Sequence, residues 1–122
     1  MSTQENKDVV RRWNLESVAG QKLETFDEVL DRDYVNHGGT KAPWAVLFQG
    51  IDGAKTGFDQ LFRENPTFQV TIEDVIAEGD KVAIRMIFYE DGKPSANAMA
   101  FYRLKGGKIV DDWFCATPLE KE

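Results

Sequence analysis

The sequence predicts an α+β domain, with three N-terminal helices packed on a strongly bent, mostly antiparallel sheet. Three observations predict it. Apolar residues recur at the helical period in three segments before Pro66 and then switch to strict alternation. The alternating half is divided by Gly79-Asp80, Asp91-Gly92 and Gly106-Gly107, which read as hairpin turns. Within the first long strand the apolar phase reverses: Phe68, Val70 and Ile72 alternate, then Val75 and Ala77 do so in the opposite phase. A phase reversal inside one strand predicts a β-bulge near Glu73-Asp74 and a sharp bend. Helices followed by a bent meander place the helices on one face of a cone whose mouth lies near the loops.

The elements follow in order. Ser2-Thr3-Gln4-Glu5 fits a capping box and opens a helix that runs to about Ala19, with Gly20 as its stop. Val10, Trp13, Asn14, Ser17 and Val18 share one face, and Trp13 and Asn14 are candidates to line a pocket from it. A short second helix spans Lys22 to Leu30, with Leu23, Phe26 and Leu30 on one side and Asp31-Arg32-Asp33 at its end. Tyr34-Val35-Asn36-His37 reads as a short strand stopped by Gly38-Gly39. The stretch from Gly38 to Gln49 has no period but carries Pro43, Trp44, Leu47 and Phe48, as a lid or binding loop does. Asp52 can cap a third helix with Phe58, Leu61 and Phe62 inward, ended by Asn65-Pro66. Val82 to Tyr89 is apolar on both faces apart from Arg85, which predicts a strand covered on both sides.

The last hairpin carries the polar residues that need a reason. Asp111 and Asp112 are adjacent in a strand, so they face opposite sides. A three-residue Gly106-Gly107-Lys108 loop sets Arg103 opposite Asp111 and Tyr102 opposite Asp112. That pairs Arg103 with an acid and leaves Asp112 on a face of small residues, Ala98 and Ala100, at the wall of a cavity. A two-residue loop would pair Tyr102 with Asp111 instead. The opposite face carries Met99, Phe101, Ile109 and Trp113, too apolar to stay in water, which marks an interface.

Composition narrows the function. At 122 residues the chain is expected to be one domain, large enough to bury roughly two-thirds of its unfolded surface. A net charge of −6, from 21 acids against 15 bases, argues against nucleic acid and anionic membrane surfaces as partners. No stretch has the length of a membrane span and no signal peptide is visible, and the lone Cys115 fits a reducing compartment; a cytoplasmic location is expected. One His and one Cys provide no recognised metal-ligand spacing, and no phosphate loop or nucleophile elbow is present, so neither metal nor cofactor is expected.

The element order, Asp33-Tyr34-Val35-Asn36-His37 after two helices, the phrase from Thr71 to Ala83, and Phe101-Tyr102-Arg103-Leu104 leading into Gly107 to Trp113 together resemble the SnoaL-like polyketide cyclase group of the nuclear transport factor 2-like superfamily. The resemblance covers almost the whole chain. It implies a cone-shaped α+β barrel (cystatin-like) with an internal cavity for a small apolar or amphipathic molecule, and a homodimer through the outer sheet face. Ring-closing relatives use an Asp late in the last strand as acid and base. That place is Phe114 here, and a His of the preceding strand falls at Ala100, while an Asn is retained as Asn36. The expected chemistry therefore moves to Asp112. A carboxylate in a water-poor cavity has a raised pKa and exchanges protons near neutrality. His37 across the cavity is its expected partner, with Asn36, Asn14 or Tyr102 orienting a carbonyl and Trp13, Tyr34 and Phe114 in the wall. Isomerisation, aldol closure or hydrolysis fits that pair; carriage of a small ligand without turnover, or a dimeric interaction module, is the alternative.

Overall fold

The computed structural model describes residues 1–38 and 49–119. The capping box forms as expected: Ser2 Oγ accepts from the Glu5 amide at 3.0 Å, and the Glu5 carboxylate accepts from the Ser2 amide at 3.1 Å. It opens α1, Thr3–Arg12. The helix does not run on unchanged. Trp13–Val18 is a π-helical turn, in which the Ala19 amide reaches back to the Asn14 carbonyl at 3.0 Å. The wider turn buries Trp13, Asn14 and Ser17 together. Gly20 ends it because a Cβ there would collide with the backbone carbonyl of Glu16.

The second helix is shorter than predicted. A 3-10 turn, Leu23–Thr25, leads into α2, Phe26–Val29, and Leu30 already has an extended backbone. Leu30 pairs with Ile109, so Asp31-Arg32-Asp33 lies inside strand β1, Leu30–Gly38, rather than at a helix end. Helix α3 is Gly50–Glu64. Its N-cap is Gln49 with no side-chain cap, and Asp52 sits in the first turn, where it faces the positive end of the dipole. Asn65 closes the other end through its own side chain, which donates to the Leu61 carbonyl at 2.9 Å.

Strands β2 (Gln69–Glu78), β3 (Lys81–Glu90), β4 (Lys93–Lys105) and β5 (Lys108–Pro118) form the meander. The sheet order is β1-β5-β4-β3-β2, antiparallel except that β1 runs parallel to β5. The sheet stays open rather than closing into a barrel, with β1 and β2 at its edges. The predicted bulge is present: Ile72 pairs with Met86 and Asp74 with Arg85, leaving Glu73 extra. β3 alternates more than expected. Val82, Ile84, Met86 and Phe88 are buried, while Ala83, Ile87 and Tyr89 on the other face are only half-buried.

The last hairpin reaches its register by a different route. Lys105 pairs with Lys108, so the loop has two residues, Gly106 and Gly107, both with positive φ (57° and 80°). Leu104 pairs with Ile109, but Arg103 pairs with Asp111, so Val110 is a bulge. The extra residue restores the predicted Tyr102–Asp112 and Arg103–Asp111 pairs. It also overturns one expectation. Ile109 does not join the outer face; the bulge turns it inward, and it is fully buried in the core. Met99, Phe101 and Trp113 remain outside at 58%, 42% and 40% exposure. Among the described residues no helix is long and apolar enough to cross a membrane.

Candidate functional site

Four elements bring the polar residues together: β1, β4, β5 and the π-helical turn. β1 alternates, so Tyr34 and Asn36 point inward while His37 points out. The parallel pairing of β1 with β5 sets Asn36 beside Asp112, and the antiparallel pairing of β4 sets Tyr102 on its other side. The π-helical turn brings Asn14 over this row. Its Nδ2 donates to the Val10 carbonyl at 3.0 Å and to the Tyr102 hydroxyl at 3.1 Å. The return contact, from the Tyr102 hydroxyl to Asn14 Oδ1, is long at 3.4 Å. The Tyr102 proton is therefore weakly held and can turn toward another acceptor. Asn36 Oδ1 accepts from the Gly38 amide at 2.8 Å, which fixes its amide in place.

Asp112 is the centre of the row and is 3% exposed. Tyr34, itself fully buried, donates its hydroxyl to Asp112 Oδ2 at 2.7 Å. Oδ1 is also buried and has no hydrogen-bond partner among the described residues. Burial pushes the Asp112 carboxyl up to about 7; the Tyr34 hydrogen bond and the charge of His37 pull it down only in part. Burial, and next the neighbouring Asp112 charge, hold the Tyr34 and Tyr102 hydroxyls well above the usual phenol value, so both stay donors. The result is a carboxyl poised near neutrality, fixed by one oxygen and unpartnered at the other.

A cavity of about 90 Å³ lies over this row, between the sheet, the π-helical turn and α3. Trp13, Asn14, Asn36, Tyr102, Asp112 and Phe114 line it, as the sequence predicted. The site has room for more than the roughly 10–15 Å³ one water needs. Tyr34 acts from behind the wall, through its bond to Asp112. Four phenylalanines that the sequence did not assign to the site also line it: Phe58, Phe62, Phe68 and Phe88. Phe58 and Phe62 are four apart on the inner face of α3, and Phe68, just before β2, meets Phe88 of β3 at 4.8 Å, so the signal was their periodicity. Phe88 stacks near-parallel on Phe114 at 5.7 Å and 11°.

His37 is the correction. It does not face Asp112 across the cavity. Strand alternation sends it to the outer surface, 37% exposed, where its Nε2 lies 2.9 Å from Asp111 Oδ1 and its ring stacks on Trp113 at 4.6 Å. Asp111 also accepts from Arg103 Nε at 2.7 Å. Burial works to raise the Asp111 pKa, but these two partners outweigh it and hold the carboxyl below its ordinary value. The adjacent acids thus diverge: Asp111 is a paired surface carboxylate and Asp112 a buried one. The expected lid residues Pro43, Trp44, Leu47 and Phe48 lie outside the described residues. No group of three or more potential metal ligands occurs among the described residues.

The family model for the SnoaL-like domain matches residues 10–112. The chain belongs to the SnoaL-like domain family. Solved structures share its fold. A proposed SnoaL-like polyketide cyclase from Jannaschia sp. CCS1 superposes with a TM-score of 0.79 at 18% identity, over 93% of this chain and 86% of that one. IdmH, a proposed polyketide cyclase from Streptomyces antibioticus, gives 0.72 at 21% identity over 91% of both chains. A proposed ketosteroid isomerase from Kribbella flavida gives 0.74 at 14% identity, over 98% of this chain and 83% of that one. A search of the curated proteins found no match by sequence. At these identities the SnoaL-like chain shares an architecture with cyclase and isomerase candidates, and its chemistry has to be argued from its own residues.

Proposed function

We propose that this SnoaL-like chain is an acid/base enzyme that moves a proton on carbon next to the carbonyl of a small, largely apolar substrate. One observation carries the reading: Asp112 is buried at the cavity floor, tied by Oδ2 to Tyr34, with Oδ1 unpartnered and a pKa of about 7. Ionised, its carboxylate takes a proton from the α-carbon, and the C–H electron pair becomes the double bond of an enolate. The Tyr102 hydroxyl, turned away from its long Asn14 contact, donates to the developing oxyanion. Asn14 positions the Tyr102 hydroxyl through its amide nitrogen, and Asn36 orients the carbonyl. Return of the proton from Asp112 to the γ-carbon of a β,γ-unsaturated ketone, through its dienolate, completes an isomerisation; attack of the enolate carbon on a second carbonyl, whose alkoxide then takes the proton from Asp112, completes an aldol closure. His37 has no part in these steps.

The test is hydrogen–deuterium exchange into a panel of small enolisable ketones, followed by NMR. The wild type is expected to exchange α-protons about 10²-fold or more faster than Asp112→Asn. Equal rates in the two proteins would remove Asp112 as the base. Binding without exchange in the wild type would make the chain a ligand carrier.

A homodimer through the outer sheet face belongs to the same proposal. Met99, Phe101 and Trp113 are exposed there, Phe101 and Trp113 meet edge to face at 5.8 Å, and Ile76 is 68% exposed beside them. The ion pairs Arg85–Asp74 and Arg103–Asp111 flank this patch with both signs of charge, as a self-complementary two-fold contact needs. Sedimentation is expected to give twice the 13.8 kDa chain mass for the wild type and a monomer for Phe101→Lys. The exposed lone Cys115 fits a reducing compartment, and we place the protein in the cytoplasm on that ground.

A further inference from the structure

The hydrogen bonds of the cavity floor specify what a ligand must offer. Both amide protons of Asn14 are spent, on Val10 and Tyr102. Asn36 Oδ1 is committed to the Gly38 amide and Asp112 Oδ2 to Tyr34. The buried acceptor left over is Asp112 Oδ1. A buried carboxylate oxygen without a donor costs free energy, and a ligand that supplies one recovers it. Around that point the walls are aromatic, with Phe58, Phe62, Phe88 and Phe114 among them. Of the described residues that line the cavity none is a lysine, arginine or histidine, and Glu90 adds a second carboxylate to the lining. An anionic ligand would therefore meet two acids and no compensating cation.

We propose that the cavity selects uncharged ring compounds that present one hydroxyl to Asp112 Oδ1, and rejects carboxylates of the same size. The ring packs among the phenylalanines and the hydroxyl completes the floor. This specificity rests on Asp112 being the working group of the cavity, as in the proposed function, but it concerns binding and not turnover.

Asp112→Asn gives a sharp counter-prediction. The Tyr34 hydroxyl is a donor, so it selects the amide oxygen of the new side chain and turns the amide nitrogen to where Oδ1 was. The floor then presents a donor in place of an acceptor, and a ligand hydroxyl loses its advantage.

The experiment compares phenol, anisole and benzoate, which share one ring and differ in its polar group. Binding is followed at pH 8, above the Asp112 value of about 7, through the side-chain amide NMR signals of Asn14 and Asn36. Phenol, whose own pKa is near 10, is neutral there. It is expected to bind about tenfold or more tighter than anisole, as one charge-assisted hydrogen bond gives, and benzoate weakest. In Asp112→Asn the preference for phenol over anisole is expected to disappear. Benzoate equal to phenol, anisole equal to phenol, no phenol binding at millimolar concentration, or the preference surviving in a folded Asp112→Asn would each overturn the proposal. The wild-type comparison decides even if the variant does not fold. Donor preference without any proton exchange would leave the proposal standing and sink the enzyme reading instead.

Discussion

Asp112→Asn is expected to unfold at a higher urea concentration than the wild type at pH 8, and at a lower one at pH 4. The carboxyl titrates near 7 in the folded chain because burial penalises its charge. In the unfolded chain it returns to about 3.9. Between those values the folded state holds a proton that the unfolded state has lost. Wild-type stability therefore falls as pH rises from about 4 to about 7. A shift of about 3 units corresponds to on the order of 4 kcal/mol at the top of that window. The asparagine carries no charge and escapes this penalty. It leaves an amide nitrogen unpaired in the cavity, at a cost of about 1–3 kcal/mol. The net gain at pH 8 is then about 1–3 kcal/mol. Urea denaturation across the pH range reads it directly, and a pH-independent difference between the two proteins would contradict a buried, neutral-poised Asp112. The substitution would thus stabilise the fold while removing its proposed base, the trade expected where a site retains an unfavourable group for function.

Trp13→Ala is expected to cost about 3–5 kcal/mol, the range for deleting a buried indole. That is a large part of the roughly 5–15 kcal/mol that holds a domain of this kind together. Trp13 is 1% exposed and meets three rings edge to face: Phe26 at 4.9 Å, Phe58 at 5.3 Å and Tyr34 at 6.0 Å. It therefore joins the π-helical turn, α2, α3 and β1 at one point. Tyr34 is the residue that holds Asp112, so the loss reaches the site as well as the core. Trp113, at 40% exposure, has no such position, and Trp113→Ala is the control: in the monomer it should cost well under half as much. Equal losses from the two in urea unfolding would show that Trp13 is not the centre of the core.

What the sequence made legible was local or periodic. Ser2 and Glu5 form a capping box within four residues, and no tertiary contact is needed to set it. The bulge at Glu73 was visible because two polar residues interrupt an apolar alternation and reverse its phase. The bulge at Val110 left no such trace. Ile109 and Val110 are both apolar and both buried, so alternation cannot tell which of them is extra. The inward placement of Asp112 was predicted from a three-residue loop; a two-residue loop and one bulged residue give the same pairs. The His37–Asp112 pairing failed on strand alternation, since Asn36 takes the inward position next to it. The π-helical turn was illegible for another reason. The helical period already places Trp13, Asn14 and Ser17 on one face, so the wider turn changes how deeply they sit and not which side they share.

The Val110 bulge bears on how the acid should be found in related chains. Ile109 and Asp112 are three positions apart and both point inward, which a regular strand forbids. A relative lacking one residue at this place would keep every cross-strand partner beyond it, Tyr102 with Asp112 included, and lose only the kink. The number of residues from the Gly106-Gly107 turn to the cavity acid is thus free to vary by one while its position in space is not. An alignment that scores gaps inside strands heavily will slide such a chain by one place and match Asp112 to a residue on the wrong face. The dependable landmark is the tyrosine across the ladder, not the count from the turn.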